Sequence, residues 1–161
     1  MKRHILLSLT LLAGLSSLLS AQSLKVNDLE YFEDRGINVL VYSNLYNGMF
    51  CDEKTAAIEI IQRGDRIATG GGIRLMNTPE QWDIYPVMES RTVDRKDNSI
   101  EVVLYYKEYD FRSKIKVTGK DKGVTIAVYL DKPVPEELAG KAGMNMEFFP
   151  ASYFGKNYLM D

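Results

Sequence analysis

The chain has 161 residues, with 20 Lys and Arg against 22 Asp and Glu, a formal charge of −2, one cysteine and one histidine. That balance excludes the concentrated basic footprint of a nucleic-acid binder, and a lone Cys51 excludes an intramolecular disulfide scaffold. The fold must rest on buried apolar area, which a chain of this length can supply within one domain.

Lys2, Arg3 and His4 precede an apolar stretch from Ile5 to Leu19, and Ser20-Ala21-Gln22 offers small residues at a cleavage point. This three-part pattern predicts a signal peptide over residues 1–21 and an exported mature chain from Gln22 to Asp161, in the periplasm, on the outer membrane or outside the cell. The apolar core is shorter than the roughly 20 residues of a spanning helix, so no membrane attachment is expected after cleavage. His4 leaves with that segment. The mature chain then has no imidazole for a His-assisted triad or a His-ligated zinc site.

Leu24 to Asp34 is a polar lead-in from which Leu29, Tyr31 and Phe32 could pin the terminus to a sheet. Gly36 releases a first strand, Ile37 to Tyr42, followed by a loop from Asn44 to Asp52 in which Asn47-Gly48 is a turn dipeptide. Cys51, between Phe50 and Asp52, reads as a small buried hydrophobe rather than a nucleophile. Ala57 to Gln62 and Arg66 to Thr69 form strands about a Gly64-Asp65 turn. Gly70-Gly71-Gly72 reads as a flexible turn: a phosphate cradle needs its glycines to open a helix, and Ile73 to Met76 reads as strand. A single helical turn is expected over Thr78 to Asp83, ended by Tyr85-Pro86.

The most regular stretch follows. Val87 to Asp94, Ser99 to Lys107, Phe111 to Thr118 and Val124 to Leu130 alternate apolar and polar residues, joined by charged turns. Ile100, Val102, Leu104 and Tyr106 share one face, as do Phe111, Ser113, Ile115 and Val117, and Val124, Ile126, Val128 and Leu130. A one-residue slip would turn any such row out to water, so the register is tightly specified. Arg112, Lys114 and Lys116 fall on the opposite face, where Glu101 and neighbouring acids can balance them across the strands. Pro135 to Leu138 carries a helical turn and Met144 to Phe149 a last strand. The fold class is therefore all-β, an antiparallel β-sandwich with at most one or two short helical turns. Tyr153 to Asp161 stays aromatic and apolar to within one residue of the end, the appearance of a domain cut short.

No catalytic or metal-ligand spacing accompanies these strands, and no cofactor is expected. Asp52, Glu53, Asp83 and Glu89 lie in or near predicted loops, but sequence gives no separation from which to build an acid/base pair. Trp82, Tyr85, Tyr42 and Tyr46 are candidate sugar platforms, since aromatic rings present flat apolar faces to sugar C–H surfaces.

Several phrases, in order, resemble the N-terminal region of exported glycoside hydrolase family 9 enzymes of Bacteroides-type bacteria. They are Leu24-Lys-Val-Asn-Asp-Leu-Glu-Tyr-Phe-Glu33, Asn38-Val-Leu-Val-Tyr-Ser43, Tyr46-Asn-Gly-Met-Phe50, Thr78-Pro-Glu-Gln-Trp-Asp83, Leu130-Asp-Lys-Pro133, Phe148-Phe-Pro150, Tyr153-Phe-Gly-Lys156 and Tyr158-Leu-Met-Asp161. The resemblance implies a non-catalytic supporting β-sandwich that precedes an (α/α)-barrel, the catalytic domain for β-1,4-glucan hydrolysis and the expected partner. No barrel sequence lies within these residues, so the resemblance carries over no catalytic residue. The alternative is a stand-alone exported carbohydrate-binding module whose partner is polysaccharide.

Overall fold

In a computed structural model, which describes residues 23–48, 51–75 and 86–157, ten strands form two antiparallel sheets. The first sheet has the order β1-β2-β3-β4-β5-β10, built from Lys25–Val26, Phe32–Asp34, Ile37–Gly48, Cys51–Gln62, Asp65–Leu75 and Ala142–Phe148. The second has the order β6-β7-β8-β9, built from Val87–Asp94, Ser99–Tyr106, Phe111–Lys120 and Gly123–Leu130. Both are meanders, except that β10 returns to the first sheet beside β5. One hydrophobic cluster takes residues from both sheets, which makes the architecture a sandwich. The expected signal peptide and the expected turn over Thr78 to Asp83 lie outside the described residues.

The four-stranded sheet follows its sequence pattern. Strands β7 and β8 pair at eight successive positions, from Ser99 opposite Thr118 to Tyr106 opposite Phe111, without a bulge. Ile100, Val102, Leu104, Tyr106, Phe111, Ile115 and Val117 are all fully buried. Each such aliphatic contributes about 1.5–3 kcal/mol of burial. Val124, Ile126 and Val128 on β9 pack against this cluster, but Leu130 is exposed, because β9 is an edge strand and the core does not reach its end. The turns are locally made: Asp94 Oδ1 accepts from the backbone amides of Lys96 and Asp97 at 2.8 and 3.1 Å, an Asx-type turn.

The six-stranded sheet departs from the expected elements in three places. The predicted loop from Asn44 to Asp52 is strand to Gly48 and again from Cys51, with Gly48 opposite Cys51. Its turn dipeptide therefore ends a long hairpin rather than filling a loop. Second, Gly70 to Gly72 are not a turn; they lie inside the continuous strand β5. A Cβ on Gly71, whose φ is +81°, would stand 2.5 Å from the Ile58 side chain, and one on Gly70 would stand 2.8 Å from the Asn145 carbonyl. These glycines let neighbouring strands approach closely at a bulge. Third, the pairing of β3 with β4 shifts between Val41 and Asn44. Tyr42 sits there at φ +48°, so Val41 and Tyr42 are both buried although they are consecutive.

The N-terminal segment is pinned differently from expectation. Leu24 and Phe32 enter the core, while Leu29 is 74% exposed. Asn98, in the β6–β7 turn, donates through Nδ2 to the carbonyls of Leu24 and Gly119 at 2.8 and 2.9 Å and accepts from the Val26 amide at 2.9 Å. On the far edge Arg91 donates to the Val41 carbonyl at 2.8 Å and to the carbonyl and carboxylate of Glu30. The two sheets are thus tied by directional bonds as well as by the core. Among the described residues helix is confined to single turns at Lys107–Tyr109, Glu136–Leu138 and α1, Pro150–Tyr153. The second of these falls where a helical turn was expected, and its Leu138 is buried.

Candidate functional site

The outward face of the four-stranded sheet carries the cation row. Arg112 donates to both oxygens of Glu89 at 2.9 and 3.0 Å and stacks over the Tyr105 ring at 4.1 Å. Lys114 meets Glu101 at 3.3 Å and lies 5.2 Å from the Tyr129 ring, and Lys116 meets Asp97 at 2.6 Å. Lys132 reaches Asp110, which also accepts from the Tyr105 hydroxyl at 3.1 Å. Hydrogen bonding from Lys116 holds Asp97 below the usual carboxylate range, and the Tyr105 hydroxyl followed by Lys132 does the same for Asp110. The bond from Tyr105 to Asp110 raises the tyrosine. Every member of the cation row is matched by an acid, as cross-strand pairing anticipates. This is a self-satisfied surface, not an anion site.

Of the loop carboxylates, Glu89 alone has a described side chain. Glu89 belongs to β6 and is held by Arg112, and Asp52 and Glu53 belong to β4. Asp83 lies outside the described residues. One carboxylate that sequence reasoning missed is Glu59, 3% exposed on β4. It accepts from Asn44 Nδ2 at 2.9 Å and from Arg66 Nη1 at 2.8 Å. A buried charge of this kind has to be paired, and both its oxygens are occupied.

Of the four aromatic candidates, only Tyr42 has a described side chain. Trp82 and Tyr85 lie outside the described residues, as does the side chain of Tyr46, whose backbone pairs with Lys54. Tyr42 is 7% exposed within the core cluster, so its ring is a packing element and not a surface platform. Burial, then the neighbouring Tyr106 hydroxyl, push its phenol far above the ordinary tyrosine range. Cys51 stands at the start of β4, and its side chain lies outside the described residues.

A concave surface forms elsewhere. A cleft of about 330 Å³ is lined by Gln62, Arg63, Asp65, Ile67, Ser152 and Lys156. Its first wall is the β4–β5 turn, where Arg63 and Gly64 take φ of +54° and +90° and the Arg63 amide donates to the Gly36 carbonyl at 2.7 Å. Its second wall is α1 and the residues after it, held by the Phe149 amide donating to the Ile67 carbonyl at 3.0 Å. Both walls are anchored by backbone bonds, which fixes the main chain from which the side chains project. Within the described residues no hydrogen bond or ion pair engages the side chains of Gln62, Arg63, Asp65, Ser152 or Lys156. Tyr153, next to Ser152 in α1, is edge-on to Phe148 at 5.6 Å, with Lys156 Nζ 5.8 Å from its ring. The Gly64-Asp65 turn was visible in the sequence; its meeting with Ser152 and Lys156 was not.

Among the described residues no group of three His, Cys, Asp or Glu side chains is placed to hold a metal ion, and no helix is long and apolar enough to cross a membrane. No family model, curated protein or solved structure matches the chain.

Proposed function

We propose that this chain is the non-catalytic supporting β-sandwich of an exported glycoside hydrolase of family 9, acting beside an (α/α)-barrel that hydrolyses β-1,4-glucan. The ordered phrases from Leu24 to Asp161 motivate the family. The observation that carries the non-catalytic reading is the disposition of the carboxylates. Hydrolysis of a glycosidic bond by the usual route needs two carboxyl groups facing each other across the scissile bond. The described cleft offers one, Asp65, while Glu89 and Glu59 are committed to Arg112 and to Asn44 with Arg66.

The supporting role draws on the ends of the core rows. Met88, Leu104, Ser113 and Leu130 follow one another across the inward face of β6 to β9. The two middle members are buried and the two outer ones exposed, with Val87 exposed beside Met88. Apolar side chains left open at both edges of a sheet are what a packed neighbouring domain would cover.

The test is release of reducing ends from β-1,4-glucan and xyloglucan by the purified, folded chain. The reading predicts none, and turnover above that of a blank would overturn it.

A further inference from the structure

We infer that the cleft between the β4–β5 turn and α1 is a binding subsite for a β-1,4-linked glucan. The inference rests, for its choice of sugar, on the family reading above; the existence of the site rests on its own geometry.

Three observations carry it. First, the cleft is concave and of the size at which small-ligand sites begin. Second, its polar groups are unspent. On the four-stranded sheet Arg112, Lys114 and Lys116 are each quenched by a carboxylate, whereas Arg63, Lys156 and Asp65 line one hollow with no hydrogen bond or ion pair among the described residues, Lys156 lying only 5.8 Å from the Tyr153 ring. Water fills those valences in the free protein, and a ligand dense in hydroxyls can replace it bond for bond.

Third, the chemistry of the lining suits a sugar. Gln62 and Asp65 supply acceptors, while Gln62, Arg63, Lys156 and Ser152 supply donors. A sugar hydroxyl both donates and accepts, so it needs such a mixed set rather than a field of one sign. Ile67 adds an apolar side chain to the lining, and Tyr153, 39% exposed, follows the lining residue Ser152 in α1. A half-exposed ring is available to stack on the C–H face of a pyranose. Because Arg63 and Phe149 are fixed by their backbone bonds to Gly36 and Ile67, binding orders little of the main chain.

The experiment is a calorimetric titration of the full chain with cellohexaose, repeated on Asp65→Asn, Lys156→Ala, Tyr153→Ala and, as a control on the other sheet, Lys114→Ala. The three cleft positions are exposed, so folding is checked by circular dichroism and expected to be unchanged. The inference predicts binding, weakened about tenfold by each cleft variant, the loss of one net hydrogen bond or stacking contact, and unchanged by Lys114→Ala. Binding that the cleft variants leave intact would overturn it, as would no heat of binding from folded protein. Those failures leave the supporting-domain reading standing, while turnover of cellohexaose during the titration would sink that reading and not the site.

Discussion

On the outer face of the four-stranded sheet Arg112, Lys114 and Lys116 each meet a carboxylate, whereas at the β4–β5 end of the six-stranded sheet Arg63 and Lys156 meet none among the described residues. The backbones differ in the same sense. In the four-stranded sheet β7 and β8 run eight positions in register, and the one shift lies between Met88 and Ser90 on the edge strand β6. The pairings among β3, β4, β5 and β10 shift repeatedly and carry Tyr42, Gly70 and Gly71 at positive φ. A regular sheet satisfies its own polar groups by cross-strand pairing and has little left to offer a ligand. An irregular one bends, brings distant turns together and leaves polar side chains converging on a hollow.

Deleting core volume should break the regular sheet most severely. Phe111→Ala, at a fully buried position against Tyr106, should cost about 3–5 kcal/mol in denaturant unfolding. In the six-stranded sheet the sensitive positions are the glycines. Gly71→Val combines a strained φ with overlap on Ile58 and should cost about 3–4 kcal/mol. Gly123→Ala, on β9 with open space around it, should stay within about 0.5 kcal/mol. Equal costs at the two glycines would erase the distinction between the sheets.

The seam between the first strand and the second sheet comes next. Asn98→Ala removes three hydrogen bonds to Leu24, Val26 and Gly119 and should cost about 2 kcal/mol. Amide exchange should show faster loss of protection at Val26 than at Ile115; uniform protection would contradict the latch.

The smallest effect belongs to the exposed ion pairs. Lys116 holds Asp97 below the carboxylate range, so that pair stabilises the fold above the unfolded carboxylate pKa and loses its effect as pH falls through the lowered folded value. Lys116 is itself raised, which retains the benefit until pH climbs past the ordinary lysine range. The Tm difference between the natural chain and Lys116→Met should therefore be small at neutral pH and vanish in acid. A difference that grows in acid would refute the pairing.

How much of this could be read from sequence follows from the same contrast. Phe111 to Thr118 was legible because period-two alternation is the whole of its structure. Residues 44–48 read as loop because Asn47-Gly48 is a turn signal whether it closes a short or a long hairpin. The three glycines read as a turn because sequence shows their freedom but not the Ile58 side chain or the Asn145 carbonyl that requires it. Tyr42 looked like a platform, since a bulge that turns consecutive residues inward leaves no periodic trace. The cleft was invisible for a further reason: Gln62 to Ile67 and Ser152 to Lys156 meet only once β10 returns beside β5.

The most direct test of the contrast between a saturated sheet and an open cleft is a residue-resolved map of amide chemical shifts during titration with cellohexaose. The account predicts that shifts concentrate at Gln62 to Ile67 and Ser152 to Lys156 and are absent from Tyr105, Lys114 and Tyr129. Shifts centred on those three, or none anywhere, would contradict it.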